Sequence, residues 1–271
     1  MPITLIDKGA GSPVLLIPGI QGRPEYLRPA IDALAGLCRV VTFSLCGSAG
    51  SGLRYDPTRG YDNYVDQIDG VLAESGLSRA TLAGVSAGGR IALRYAADRP
   101  HRVKGLVLIS TPPPNWQPDR RVAAYLRAPR RSALLFFGTS PFRLGPEIRA
   151  ALSDPAERRR FVASQLRTLC TAPPSPRRMA EHARLMADTD QTADCARIHV
   201  RTLVITGERA LDRVVPLDDT LQYLRLIEGA RHVEIERTGH LGSMTRPRAF
   251  ALLVGGFLDS LEGTSARSEV A

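Results

Sequence analysis

A single stretch decides how this chain folds: Ala83-Gly84-Val85-Ser86-Ala87-Gly88-Gly89-Arg90. It contains the pattern G-x-S-x-G, followed by one more glycine. The apolar residues 80–83 indicate a buried strand, and residues 91–96 are typical of a helix. The sequence therefore predicts a strand, a sharp turn and a helix, with Ser86 at the apex of the turn.

Small residues surround Ser86 because a turn this sharp leaves no room for larger ones. Gly84 and Gly88 allow two backbone segments to pass closely, and Gly89 allows the helix to pack against the sheet. The Ser86 hydroxyl then projects into open space. The helix that begins near Ala87 directs free N–H groups and the positive end of its dipole toward that space. This context predicts a nucleophilic serine rather than a solvated turn residue.

The length and composition favour one large domain, or one domain with an inserted cap. Of the 271 residues, 44% are hydrophobic, which is enough for a sizeable core. No run approaches the roughly 18 apolar residues of a membrane span. Residues 1–7 lack the basic segment and the apolar run of a signal peptide, so we expect a cytoplasmic protein without a membrane span.

The cysteines and the basic residues indicate neither a metal site nor a nucleic-acid surface. No cysteine forms a C-x-x-C pair or a metal-ligand spacing with histidine, so we expect no metal and free thiols at Cys38, Cys46, Cys170 and Cys195. The net charge of +9 comes almost wholly from arginine. Arginine runs such as residues 158–160 are typical of solvated helix faces, and no stacking aromatic residues alternate with them. We therefore expect no nucleic-acid partner and a small-molecule substrate.

A second glycine-rich loop, residues 45–52, invites comparison with dinucleotide-binding loops. The dinucleotide fingerprint needs G-x-G-x-x-G at the start of a helix, but Gly47, Gly50 and Gly52 have the order G-x-x-G-x-G. Residues 54–60 also have the composition of a loop. We therefore expect no nucleotide cofactor.

Apolar strands alternate with amphipathic helices along most of the chain. The predicted strands, of which the first two are expected to form a hairpin, are residues 3–6, 14–17, 40–43, 80–83, 103–109, 202–206 and 231–235. Strands that are apolar throughout are buried on both faces. The predicted fold class is therefore α/β, with a mostly parallel central sheet and helices on both of its faces.

The alternation stops at Thr111 and resumes near residue 198. Between them the sequence has several proline breaks and no clear strand, and helices are predicted at 120–127, 146–152, 155–169 and 176–186. We therefore predict a core formed by residues 1–111 and 198–262, with residues 112–197 inserted as a helical cap. Residues 263–271 are expected to form a disordered tail.

A serine hydroxyl needs a general base to become a good nucleophile. Among the histidines, His240 stands out because it lies in a glycine loop directly after the last predicted strand. Sites form at the carboxyl ends of parallel strands, where such loops lie. The remaining histidines occupy positions that suit surface or core residues: His101, His182, His199 and His232.

The base in turn needs a carboxylate to orient it. Asp212 follows the predicted strand 202–206, in a loop equivalent to that of His240. Its rivals are Glu208, which lies close to the strand end, and Asp218 and Asp219, which lie where a helix would start. We therefore favour Asp212 as the orienting acid.

The chain order Ser86, Asp212, His240 resembles the catalytic triad of the α/β-hydrolase superfamily. The resemblance also rests on the turn sequence around Ser86, on the segment 212–216 and on Gly239 before His240. It covers nearly the whole chain outside the predicted cap. The resemblance therefore implies an α/β-hydrolase fold with an inserted helical cap.

The same resemblance implies further site residues. Backbone N–H groups of Ile20 and Ala87 would form the oxyanion hole. The chain departs from the family at Pro18, where many members have histidine, and at Ser44, where many have aspartate. Both departures leave the substrate preference open.

We expect the substrate pocket to include Gln21, Val85, Trp116, Phe142, Val214 and Leu241.

The implied chemistry is acyl transfer to water without a metal or an organic cofactor. The leading interpretation is a serine hydrolase, most simply an esterase, that cleaves a small ester, thioester or lactone through an acyl-enzyme. A carbon–carbon bond hydrolase or a cofactor-free, peroxidase-like enzyme would use the same triad. A ligand-binding relative with slow or no turnover is a more distant alternative. The sequence leaves the substrate and the oligomeric state open.

Overall fold

A central sheet organises the computed structural model, which describes the backbone of residues 5–268 and the side chains of residues 5–133 and 138–263. Its strands are β1 (Leu5–Lys8), β2 (Pro13–Ile17), β3 (Arg39–Phe43), β4 (Ala80–Val85), β5 (Val103–Ile109), β6 (Thr202–Thr206) and β7 (Arg231–Glu234). They lie in the order β1-β3-β2-β4-β5-β6-β7. The pairings from β3 to β7 are parallel, and β1 is antiparallel to β3. The predicted fold class is confirmed.

The prediction that the first two strands form a hairpin is wrong. Strand β1 pairs with β3, with Leu5 opposite Phe43, whereas β2 lies between β3 and β4. Strand β2 is buried along nearly its whole length and needs a neighbour on each side. Strand β1 ends in two exposed residues, which suits the edge of a sheet.

Helices cover both faces of the sheet. Side chains alternate between the faces, so β2 contributes Leu15 and Ile17 to one core and Val14 and Leu16 to the other. The first core packs under α2 (Asp62–Glu74) and α3 (Ala87–Asp98), and the second under α1 (Arg28–Leu34) and α13 (Pro247–Ser268). The helices are α1 (Arg28–Leu34), α2 (Asp62–Glu74), α3 (Ala87–Asp98), α4 (Arg120–Arg127), α5 (Pro129–Gly138), α6 (Ser140–Ala151), α7 (Pro155–Thr171), α8 (Pro176–Asp188), α9 (Thr192–Ala196), α10 (Leu217–Thr220), α11 (Tyr223–Leu226), α12 (Gly242–Thr245) and α13 (Pro247–Ser268).

Helices α4 to α9 occupy the interval between β5 and β6. We call residues 112–197 the cap segment. Asp119, Asp154 and Ser175 accept hydrogen bonds from backbone N–H groups at the starts of α4, α7 and α8, which explains where these helices begin. Helix α6 begins earlier than the predicted start at Pro146 and passes through this proline.

Helix α13 extends to Ser268 and so includes residues 263–268 of the predicted tail. No proline follows Gly263 to stop the helix. Residues 269–271 of the predicted tail lie outside the described residues. Within the described chain, no helix has the length and apolar character that crossing a bilayer requires.

Arg90 joins the cap segment to α3. Its side chain is fully buried, with 0% exposure. Its guanidinium donates to the carbonyl oxygens of Pro113 at 2.7 Å, Thr189 at 2.6 Å and Met186 at 3.3 Å, and to Oε1 of Gln191. Pro113 lies before the first cap helix, and Thr189 and Gln191 lie between α8 and α9. One side chain therefore fixes both connections of the cap segment to the helix that follows Ser86.

Replacing Arg90 should destabilise the protein strongly. Arg90→Met keeps the apolar bulk but leaves several buried carbonyl groups without donors, so the free energy of unfolding should fall by about 3 kcal/mol. Urea unfolding followed by circular dichroism measures this change. Arg28→Met, at an exposed position on α1, is the matched control and should change stability by less than about 0.5 kcal/mol. Equal stability of the two variants would contradict this role for Arg90.

Candidate active site

Ser86 lies at the apex of a strained turn between β4 and α3. Its φ of 54° and ψ of −124° cost a non-glycine residue on the order of 1–3 kcal/mol. A Cβ atom at Gly84 would collide with the backbone of Gly88 and Gly89, and one at Gly88 would collide with the carbonyl oxygens of Ile17 and Pro18 at the end of β2. The predicted strand, turn and helix are therefore present, and the glycines are needed for backbone contact.

Two further glycines bring the loops of Asp212 and His240 together. A Cβ atom at Gly207 would lie 2.5 Å from the carbonyl oxygen of Gly239, and one at Gly239 would lie 2.8 Å from the backbone nitrogen of Asp212. The N–H of Glu208 donates to the carbonyl oxygen of Thr238 at 2.8 Å, which fixes the contact. The loop after β6 thus touches the loop after β7 through backbone alone.

This contact places Ser86, His240 and Asp212 in one hydrogen-bonded series. His240 Nε2 lies 3.1 Å from Ser86 Oγ, and His240 Nδ1 lies 3.4 Å from Asp212 Oδ2. The second oxygen of Asp212 accepts the N–H groups of Val214 and Val215, both at 2.9 Å. The side chains of His240 and Asp212 are only 12% and 6% exposed. The arrangement can move a proton from the serine to the imidazole.

Electrostatic interactions favour the imidazolium form of His240 and the carboxylate form of Asp212. Burial disfavours the imidazolium, but the charge and hydrogen bond of Asp212, with the charge of Glu147, raise the pKa of His240 above its ordinary value. Burial also disfavours the Asp212 carboxylate, but His240 and the two backbone N–H groups lower the pKa of Asp212. An imidazolium that forms during reaction is therefore stabilised where it arises.

The rival carboxylates have other partners than His240. Asp218 pairs with Arg209, and its side chain is 68% exposed. Glu208 accepts the N–H of Arg237. Asp219 lies in the first turn of α10, and burial with the nearby Asp218 raises its pKa. Of the four candidates, Asp212 is the one that contacts His240 in the described part of the chain.

The proposed oxyanion donors lie beside Ser86. Ala87 is the first residue of α3, so its N–H belongs to the helix end that lacks intrahelical partners. Ile20 lies in the turn closed by the hydrogen bond from Gly22 N–H to the Gly19 carbonyl at 2.8 Å. A Cβ atom at Gly19 would lie 3.5 Å from the Cβ of Ser86, so this turn passes close to the serine. Ile20 and Ala87 line one pocket together with Ser86.

That pocket has a volume of about 620 Å³, which is the size of a small-molecule site. Its walls come from the core loops and from the cap segment. Among the predicted lining residues, Trp116 and Val214 face it. Phe142 does not, because its side chain is 79% exposed on the surface of α6. Gln21, Val85 and Leu241 lie next to site residues in the chain but outside the pocket lining.

The backbone of Phe142 contacts the loop that carries Asp212. Pro146 has no N–H to donate to the carbonyl oxygen of Phe142, one turn earlier. The guanidinium of Arg213 reaches that oxygen at 3.5 Å instead. The start of α6 is therefore tied to the segment that follows Asp212.

Charged cap residues that sequence reasoning missed also lie at the site. Arg121 and Arg143 line the pocket, together with Asp119. Glu147 is buried with 1% exposure and contacts the loop of His240. All of these residues lie in arginine-rich helical sequence, which favours solvated faces. Glu147 differs from them in being buried against the loop of His240, which no sequence pattern indicates.

Nothing in the described part of the chain gathers three or more histidine, cysteine or acidic side chains into a metal site. Cys38, Cys46 and Cys195 are buried thiols, and Cys170 is an exposed thiol. Burial raises the pKa of Cys38 to about 11 and that of Cys195 to about 12. These two thiols are therefore core residues rather than reactive groups.

Comparison with known proteins agrees with this geometry. The family model described as alpha/beta hydrolase fold matches residues 12–247. The chain is 28% identical over 267 residues to a 2-hydroxy-6-oxo-2,4-heptadienoate hydrolase of Pseudomonas putida, covering 94% of this chain and 91% of that protein. It is 28% identical over 263 residues to a 2-hydroxymuconate semialdehyde hydrolase of a Pseudomonas species, covering 94% and 89%. A thermophilic esterase structure from Thermogutta terrifontis has a TM-score of 0.74 at 24% identity, covering 96% of this chain and 93% of that one.

The assignment of the acid predicts unequal effects of two similar substitutions. Asp212→Asn should lower turnover on the order of 10⁴-fold, because an amide cannot hold the imidazole in the required tautomer. Asp218→Asn should retain turnover within several-fold, because the Asp218 carboxylate is exposed and pairs with Arg209. Steady-state kinetics on an activated ester measure both variants. The reverse ranking would mean that the acid is misplaced.

Proposed function

The chain belongs to the α/β-hydrolase fold family, and from this premise we propose that it is a serine hydrolase that cleaves a small ester, thioester or lactone through an acyl-enzyme. Ser86 would be the nucleophile, His240 the general base and acid, and Asp212 the residue that orients the imidazole. One observation carries the proposal: the hydrogen-bonded series from Asp212 through His240 ends at a serine that opens into the pocket.

The proposed reaction has two halves. Ser86 Oγ attacks the substrate carbonyl while His240 Nε2 takes its proton, and the N–H groups of Ile20 and Ala87 stabilise the oxyanion. His240 then protonates the leaving group as the tetrahedral intermediate collapses to the acyl-enzyme. In the second half, His240 takes a proton from water as the water attacks the acyl carbon. His240 returns that proton to Ser86 Oγ when the second tetrahedral intermediate collapses to the free acid. The chemistry needs only groups of this chain and water.

A second candidate function is hydrolysis of a carbon–carbon bond in an unsaturated oxo acid. The two Pseudomonas relatives are named for substrates of this kind, which carry a carboxylate and no ester. Arg121 and Arg143 supply positive charge on the cap side of the pocket, where a carboxylate would be attracted. The pocket is lined by as many aspartates as arginines, including Asp119 on the cap side and Arg209 and Arg213 on the core side. Its net charge therefore does not single out a carboxylate, and we rank the ester reaction first.

The cap segment has a proposed role in specificity. Trp116, Tyr125 and Met179 contribute apolar surface to the pocket, and Ala183 and Met186 pack with Ala87 in one apolar cluster. A pocket wall of this kind excludes water and strengthens the oxyanion hydrogen bonds. It would also limit the length of the acyl group.

The function itself is tested on Ser86. Wild-type protein should hydrolyse p-nitrophenyl acetate or butyrate, and Ser86→Ala should lose at least about 10³-fold in kcat while melting at or above the wild-type temperature. A fluorophosphonate should label Ser86 in the wild type. Hydrolysis of 2-hydroxy-6-oxo-2,4-heptadienoate faster than of any ester in the series would favour the second candidate. Undiminished activity in Ser86→Ala would exclude both.

The specificity role of the cap is tested by two aromatic residues of the same segment. Trp116→Ala should change the preferred acyl length or alter the ratios of kcat/KM among p-nitrophenyl esters by on the order of tenfold, because it enlarges the pocket. Phe142→Ala is the matched control, since its side chain is exposed, and should leave the profile unchanged. Identical profiles of the two variants would remove Trp116 from the specificity determinants.

A further inference from the structure

Glu147 is a buried carboxylate that the proposed reaction does not use. It lies on α6 of the cap segment, and its exposure is 1%. Its Oε2 atom accepts the backbone N–H of Gly239 at 2.9 Å and the backbone N–H of Leu241 at 2.8 Å. These two residues flank His240 in the chain. One oxygen atom from the cap segment thus holds both sides of the residue that would act as base.

A purely structural role does not explain why position 147 is a glutamate and not a neutral residue. Its other oxygen, Oε1, is buried and has no hydrogen-bond partner recorded among the described residues. A buried carboxyl group is costly, and a glutamine could accept the same two N–H groups without carrying a charge. A carboxyl group, unlike an amide, can ionise, so this residue type points to an effect on a nearby titrating group.

Two charged groups of the core loops, His240 and Asp212, act on this carboxyl group. Arg143, one turn earlier on α6, acts on His240. Burial raises the pKa of Glu147 to about 7, opposed by His240 and the two N–H groups and assisted by Asp212. The charge of Glu147 favours the imidazolium form of His240, whereas that of Arg143 disfavours it. The protonation states of Glu147 and His240 are therefore coupled near neutral pH.

We propose that Glu147 is a positioning residue for the base: its ionised carboxylate fixes the peptide groups on both sides of His240 and stabilises the imidazolium that forms during acyl transfer. The inference rests on the proposed function, because it assigns a role relative to His240 as base. It makes the docking of α6 a requirement for catalysis. The cap segment then contributes to the acid–base machinery as well as to the pocket wall.

The test follows the rate at which a fluorophosphonate labels Ser86 between about pH 5 and pH 9, where histidine titrates. Labelling needs neutral His240, so the labelling rate should fall at acidic pH. The midpoint of this fall, the acidic limb of the pH profile, reports the pKa of the imidazole. Glu147→Gln keeps the acceptor oxygen and removes the charge, so the acidic limb should move to lower pH by about half a unit or more. Glu147→Ala also removes both hydrogen bonds, and labelling should slow on the order of 10²-fold at every pH.

Two controls separate these effects from general ones. Glu157→Gln removes the same charge from an exposed position on α7, and its acidic limb should coincide with that of the wild type. Glu147→Asp keeps the charge but shortens the side chain, so it should slow labelling at least about tenfold with the limb unmoved. Melting temperatures identify variants that do not fold. If Glu147→Gln does not fold, the labelling rate and acidic limb of Glu147→Asp test the proposal instead.

The outcomes are distinct. A folded Glu147→Gln with the wild-type limb, or Glu147→Asp with the wild-type rate, overturns the inference. A shifted limb in Glu147→Gln together with a slowed but unshifted Glu147→Asp supports it. Wild-type protein that is not labelled at Ser86 would instead refute the proposed function, independently of how the Glu147 variants behave.

Discussion

Backbone-to-backbone contact at the carboxyl edge of the sheet is the constraint on which the site depends. Parallel strands end several ångströms apart. Their loops can meet only where no side chain separates them. Gly84 and Gly88 satisfy this requirement around Ser86, and Gly207 and Gly239 satisfy it between the loops of Asp212 and His240. The hydrogen-bonded series across the site is a consequence of these approaches.

The cap segment is attached to this edge at two polar points rather than through apolar packing alone. Arg90 binds carbonyl groups at both connections of the segment, and Glu147 binds the N–H groups on both sides of His240. Buried charged groups tolerate few arrangements, because each must keep its partners. The two contacts therefore favour one position of the cap over Ser86. The shape of the pocket and the position of His240 therefore depend on the same contacts.

Patterns that act over short stretches of sequence were sufficient for much of the fold and for the candidate triad. The strand, turn and helix around Ser86 follow from glycine spacing, and the loop of His240 follows from its place after the last strand. Pairing of β1 with β3 was missed because a short, half-exposed strand carries no signal for its partner. Phe142 was misplaced because composition does not say which side of α6 faces the core. Arg90 and Glu147 were missed because the sequence alone does not distinguish a buried charged residue from an exposed one.

The central claim is that Ser86, Ile20 and Ala87 form one reaction centre under the cap segment. A crystal structure of the Ser86 adduct with a p-nitrophenyl alkylphosphonate tests this claim most directly, because the phosphonyl oxygen stands for the oxyanion. The account predicts that this oxygen lies about 3 Å from the backbone nitrogens of Ile20 and Ala87, with His240 Nε2 within hydrogen-bond distance of Ser86 Oγ. An adduct whose oxygen points to solvent or toward other donors, or one formed on a different residue, would contradict it.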